Sequence, residues 1–279
     1  MKNQILLGLS LTSLLLPAAA LGVQAPAPPL LSPEPPKWED RRSSSKMGVG
    51  QELEAGRLRQ IVADLPPAAS VDEVELALFD LLPRIQQARK GDLPVVKETV
   101  ASLRRQPGAV EAMERQYRRL PAEAIEQRLM VLGLLGEMKR PDAVAQLREV
   151  IWAPLPPAAS KAEVEKLTER DLEEMVQVKA VQGLAYLATP QANAAVREVI
   201  KNHEALHVRV SAIDAYMWNH SDSPETAAEL YRLLPADLHP YVERPRFHRG
   251  MNREEFTLRL RAWQEKWGSQ FQPATGGEK

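Results

Sequence analysis

Three stretches of the chain repeat one pattern, in which a basic residue leads into an apolar run and a proline then opens a second apolar run. In each copy, apolar residues follow the proline at offsets of six, nine and ten. These offsets fall on roughly one side of an α-helix. The basic residues and prolines are, in chain order, Arg128, Pro141, Lys179, Pro190, Arg209 and Pro224. Each copy therefore predicts a helical hairpin whose apolar side needs a neighbouring unit to cover it.

Signals typical of helix starts accompany this pattern. Thr189 and Ser223 stand directly before the prolines of the second and third copies, where a hydroxyl can act as the N-cap. A proline at the first helical position breaks no intrahelical hydrogen bond. Ser70 and Ser160 each begin a capping box, with a glutamate three residues later. Because no alternating strand pattern of useful length follows residue 51, we predict an all-α fold.

One run carries a family resemblance. Arg128 to Gly136, followed by Pro141 to Val144 and Leu147, resembles the HEAT-like helical repeat family, and the match covers roughly residues 120–236. The resemblance implies an α-solenoid of antiparallel helix pairs that usually binds other proteins, although a subset serves pigment-attaching lyases. The insert from Trp152 to Asp171 departs from the family pattern, and residues 51–120 match it only loosely. We therefore expect a less regular helical N-terminal part.

The N-terminal fifty residues differ from the rest of the chain. Residues 1–20 combine one lysine, an apolar run from Ile5 to Leu16 and a break of small residues, which predicts a secretory signal peptide. Uncleaved, the same segment could anchor the chain in a membrane, which we consider the weaker alternative. Residues 21–50 are rich in proline and serine and predict a disordered linker. The expected location is periplasmic or secreted, in a bacterium.

Composition excludes several classes of function. The chain has no cysteine, so disulfides and thiolate metal sites are excluded. Its formal net charge is −1, which gives no support to nucleic-acid binding. No segment after the N-terminal one is long and apolar enough to span a membrane. The helical repeat domain is predicted over 51–268, with a C-terminal capping helix over 252–267 and a disordered tail over 269–279.

The sharpest local motif is His203-Glu204-Ala205-Leu206-His207, a literal H-E-x-x-H. On one helix, His203 and His207 could share a zinc ion and Glu204 could act as a general base on the bound water. No third ligand follows at the spacing of the common zinc peptidases. The repeat register also predicts a helix boundary inside or beside the motif. We therefore expect exposed loop histidines, with a zinc-dependent hydrolase as the alternative.

A second candidate site is the arginine-rich segment, residues 243–253. Its guanidinium groups suit a carboxylate or phosphate, or an acidic partner, whereas the alternative interpretation is a plain loop before the last helix. The predicted binding residues are Arg244, Arg246, Phe247, Arg249 and, from the repeats, Trp218. The aromatic residues of the last helix are predicted to close the end of the helical array, or alternatively to anchor a partner.

The sequence thus predicts a non-catalytic, exported helical-repeat protein that acts as an adaptor or scaffold in the cell envelope. We expect a protein partner, and we predict neither a cofactor nor a catalytic residue. The alternatives are the zinc hydrolase and a purely structural domain of an envelope complex.

Overall fold

The computed structural model describes residues 49–88, 93–157, 167–248 and 250–271. The predicted signal peptide, the linker up to residue 48 and residues 272–279 of the predicted tail lie outside the described residues. So do the capping box at Ser160 and the predicted binding residue Arg249.

Every regular element in the described ranges is a helix and none is a strand, which confirms the all-α prediction. Two short 3-10 helices cover Ala236–Leu238 and Gly268–Phe271, so the prediction of disorder is wrong for residues 269–271. The α-helices described are α1 (Val49–Ala63), α2 (Val71–Gln87), α3 (Leu93–Arg104), α4 (Ala109–Arg119), α5 (Ile125–Glu137), α6 (Ala143–Ile151), α7 (Glu169–Leu187), α8 (Pro190–Asn202), α9 (Leu206–Asn219), α10 (Pro224–Leu233), α11 (His239–Glu243) and α12 (Arg253–Trp267).

The helix starts follow the predicted capping chemistry. The Thr189 hydroxyl accepts the backbone N–H three residues later at 3.1 Å, and Ser223 does the same at 3.2 Å. The capping box at Ser70 is formed. In the first repeat copy, Pro141 instead lies in a turn two residues before α6 begins at Ala143, so the proline there precedes the helix. The helix boundaries of the second and third copies are therefore set by local sequence.

The repeat helices pack around α7, which contacts α5 and α6 before it and α8 and α9 after it. The apolar residues at the repeated offsets lie in the core, except Leu233, which is partly exposed. In the third copy, α10 packs against α11. The N-terminal helices join the same core, because α2, α3 and α4 all contact α5. One hydrophobic cluster accordingly extends from Leu58 on α1 to Val242 on α11.

Glycines bring α5 and α7 into close contact. A Cβ atom placed on Gly136 would lie 2.6 Å from the Cα of Gly183, closer than Cβ atoms approach other atoms in real proteins. One turn earlier, a Cβ on Gly133 would lie 3.1 Å from the Cε of Lys179. Because glycine has no side chain, the two backbones can touch and Lys179 can lie along α5.

The C-terminal helix α12 is attached more loosely. Asn252 is its N-cap, but none of the residues of the helix is buried. Its two tryptophans donate hydrogen bonds toward α11, from Trp263 to the Pro240 carbonyl at 2.8 Å and from Trp267 to Glu243 at 2.9 Å. That these residues close the end of a helical array stays a prediction, because α12 buries none of its own residues. None of the helices in the described ranges has the length and apolar character that a membrane span requires.

Candidate functional site

The H-E-x-x-H motif is divided between two helices. His203 is the C-cap of α8 and Ala205 the N-cap of α9, which places His207 in the first turn of α9. The predicted helix boundary inside the motif is thus confirmed. Because the motif does not lie on one helix, the four-residue spacing does not place the two imidazoles side by side.

His203 is a structural residue. It is 5% exposed, which corrects the expectation of an exposed loop histidine. Its Nδ1 accepts the Ala205 backbone N–H at 3.1 Å, so the Nε2 carries the proton and donates to the Ile151 carbonyl at 3.1 Å. His207 instead lies 3.8 Å from a carboxylate oxygen of Glu174. Among the residues that the structure describes, no group of three or more His, Asp or Glu side chains is arranged to hold a metal ion.

The arginine-rich segment is built around Arg246, whose side chain is only 7% exposed. Its guanidinium donates to Asp214 at 2.8 Å and to Asp222 at 3.2 Å. The same group also donates to the carbonyls of Tyr241, Val242 and Arg244, at 2.8 to 3.2 Å. These N–H groups of Arg246 are therefore directed into the protein, and its predicted role in binding a partner stays a prediction.

The pKa of one carboxylate that accepts hydrogen bonds from Arg246 is shifted. Burial raises the pKa of Asp214, against the attraction of Arg246 and Arg244. Arg244 lies 3.6 Å from the same carboxylate, but its side chain remains about two-fifths exposed. The segment is thus fixed by Arg246, while Arg244 stays available at the surface.

His248 provides a second fixed point in this segment. Its ring stacks on Trp218, with centroids 4.6 Å apart and planes 14° apart. Its Nε2 contacts the carboxylate of Asp222, which also receives Arg246. The structure therefore brings the predicted residue Trp218 to the arginine-rich segment, although they are far apart in sequence.

Phe247 lies between these two fixed residues and is 51% exposed. Its ring meets Phe256 of α12 edge to face, with centroids 5.4 Å apart. We call Phe247, Phe256 and Arg244 the aromatic–arginine surface. An aromatic side chain whose neighbours on both sides are fixed loses little conformational entropy when it contacts a partner. The surface is consequently suited to binding and offers no nucleophile or acid–base pair.

The three basic residues of the repeats have different surroundings. Arg128 pairs with Glu173 at 3.0 Å, and Arg209 donates to the Ile200 carbonyl at 2.9 Å, so both make structural contacts. Lys179 has no hydrogen bond or ion pair within 4 Å among the described residues, but it interacts electrostatically with the buried Glu137. No motif in the sequence indicates Glu137. Its position three residues after the core residue Leu134 is the signal that could have found it.

Comparisons of the chain with protein families, with curated proteins and with solved structures find no match.

Proposed function

We propose that this chain is an exported, non-catalytic helical-repeat protein that binds another protein as an adaptor or scaffold of the cell envelope. In this proposal, HEAT-like antiparallel helix pairs form a short α-solenoid with a less regular N-terminal part. The packing of α7 against the helices on both sides of it supports successive stacking. The composition of residues 1–20 supports export.

The observation that carries the proposal is the aromatic–arginine surface. Phe247 is half exposed, yet Arg246 and His248 on either side are held by Asp214, Asp222 and Trp218. Aromatic and arginine side chains are enriched among the residues that dominate protein–protein binding energy. Because a large apolar ring is exposed at the surface between fixed neighbours, we favour a binding role for this segment over its interpretation as a plain solvated loop.

The test is capture of the partner by Phe247→Ala. The chain lacking residues 1–20 is immobilised and exposed to cell-envelope extract, and bound proteins are quantified by mass spectrometry. The matched control is Phe79→Ala on α2, because Phe79 is also strongly exposed, at 68%. We expect Phe247→Ala to reduce capture of a specific protein about tenfold, as for a typical binding hot spot. Equal capture by Phe247→Ala and the parent chain would contradict the proposal.

A further inference from the structure

Charged and polar side chains from three helical regions lie together beside the contact between α5 and α7. We call this group the cation-rich cluster, and it consists of Lys97, Arg104, Glu137, Lys139, Lys179 and Tyr186. Arg104 of α3 donates its Nε to the backbone carbonyl of Glu137 at 2.9 Å, and its terminal nitrogen lies 3.9 Å from the Glu137 carboxylate. Lys139 follows α5 with a left-handed φ of 51°, and its Nζ lies 3.9 Å from the centroid of the Tyr186 ring.

The glycines of α5 and α7 position this cluster. Lys179 lies against Gly133, one helical turn before Glu137, with its Nζ 3.5 Å from the place where a Cβ would be. The touching backbones at Gly136 and Gly183 bring the end of α5 close to the side chains of α7. The cluster is therefore a product of helix packing, and its members are spread over ninety residues of the chain.

Positive charge exceeds negative charge in the cluster. Four cations act on the single carboxylate of Glu137, which is 3% exposed. Burial lowers the pKa of both Lys139 and Lys179, and Arg104 lowers that of Lys139 further. Burial also raises the pKa of Glu137, so the one compensating negative charge is itself disfavoured. A further negative charge would stabilise these lysines in their protonated form.

One buried donor of the cluster lacks an acceptor, since the Tyr186 hydroxyl has no hydrogen-bond partner among the described residues. The Glu137 Oε2 has none either, but an ionised carboxylate oxygen only accepts hydrogen bonds and would not pair with an oxyanion. Burial and the nearby carboxylate raise the pKa of Tyr186 to about 12, so the hydroxyl keeps its proton and remains a donor. Native proteins rarely leave buried polar atoms unpaired, and such atoms point to a missing partner.

We propose that the cation-rich cluster is a binding site for an oxyanion, either a carboxylate or a phosphate group. The ammonium groups of Lys139 and Lys179, the remaining guanidinium N–H groups of Arg104 and the Tyr186 hydroxyl are all donors. A ligand group that accepts several hydrogen bonds and carries negative charge matches both this donor set and the excess of cations. The inference does not depend on the aromatic–arginine surface.

The experiment measures binding of two probes by isothermal titration calorimetry at constant ionic strength. Inorganic phosphate represents the phosphate source, and a capped tetraglutamate peptide represents the carboxylate source. The test variant Lys139→Met/Lys179→Met removes two charges of the cluster and keeps their apolar stems. The control variant Lys201→Met/Lys266→Met removes two charges elsewhere, so it matches the change in net charge.

We expect the parent chain and the control variant to bind at least one probe, and the test variant to bind it at least about tenfold more weakly. Preference for one probe identifies the source of the oxyanion. The proposal is overturned if the parent chain binds neither probe, or if the control weakens binding as much as the test variant does. Phe247→Ala should leave probe binding unchanged, which separates this inference from the proposed partner binding.

Should the double variant fail to fold by circular dichroism, Tyr186→Phe decides the question. It removes only the unpartnered hydroxyl and keeps the ring beneath Lys139. We expect normal helicity with binding weakened several-fold. Unchanged binding in a folded Tyr186→Phe variant would overturn the assigned site.

Discussion

The arginine-rich segment and the cation-rich cluster differ in how far the protein itself satisfies their charges. Arg246 donates to two carboxylates and three backbone carbonyls, so its charge is used internally. In the cation-rich cluster, by contrast, four cations act on one buried carboxylate. A conspicuous run of arginines can thus be structural, whereas charges gathered by packing can remain available for a ligand.

The largest effect is expected from Arg246→Met. The substitution leaves Asp214 and Asp222 without their shared guanidinium, and breaking a buried ion pair in this way costs about 3 kcal/mol. Urea denaturation followed by circular dichroism measures the loss. The control is Arg259→Met, which breaks an exposed pair with Glu255 and should cost less than about 0.5 kcal/mol. Similar losses in the two variants would show that Arg246 is not a structural anchor.

The next effect concerns the glycines that assemble the cation-rich cluster. Gly136→Ala would place a Cβ against the backbone of α7, and we expect the free energy of unfolding to fall by about 2 kcal/mol because the helices must separate. Gly56→Ala on α1 is the matched control. A Cβ there meets nothing within 4 Å, so the variant should gain about 0.5 kcal/mol from helix propensity. A neutral Gly136→Ala would mean that α5 and α7 do not touch.

Lys179→Met is expected to change the free energy of unfolding by a smaller amount and in the opposite direction. Replacing a poorly compensated, partly buried charge with an apolar side chain of similar volume should raise the free energy of unfolding by about 1 kcal/mol at neutral pH. Burial lowers the folded-state pKa of Lys179 below its usual 10.5, so the unfolded state binds the proton more tightly. The parent chain should therefore recover stability relative to the variant as the pH rises through the lowered folded-state pKa toward 10.5. A pH-independent difference would contradict the assigned environment.

The smallest effect is expected at Arg244. Its pairing with Asp214 is long, at 3.6 Å, and its side chain is about two-fifths exposed. Arg244→Met should therefore lower the free energy of unfolding by less than about 0.5 kcal/mol. Calorimetric melting of this variant beside Arg246→Met compares two arginines of one segment. A loss as large as that of Arg246→Met would make the whole segment structural.

The helices were predictable wherever local chemistry decides them. The caps at Thr189 and Ser223, the capping box at Ser70 and the buried offsets of the repeats all follow from nearest neighbours along the chain. The division of the H-E-x-x-H motif followed from the repeat register for the same reason. Such features depend on a few consecutive residues, which the sequence shows directly.

The charged sites could not be predicted from the sequence, because they depend on contacts between residues that are distant along the chain. Nothing near Arg246 in the sequence indicates that Asp214, which lies 32 residues earlier, accepts a hydrogen bond from it. The approach of α7 to Glu137 likewise depends on Gly136 and Gly183, whose pairing is a property of the packed helices. Burial decides which charges are used internally, and burial is set by tertiary packing.

The most direct test of this account is an NMR titration of the isotope-labelled chain, lacking residues 1–20, with inorganic phosphate and with tetraglutamate. We predict saturable shifts of the backbone amide signals of Glu137, Lys139, Lys179 and Tyr186 with at least one probe, while the signals of residues 244–248 stay in place. Shifts confined to residues 244–248 would contradict the account, since they would show that the arginine-rich segment is the part of the molecule that binds anions.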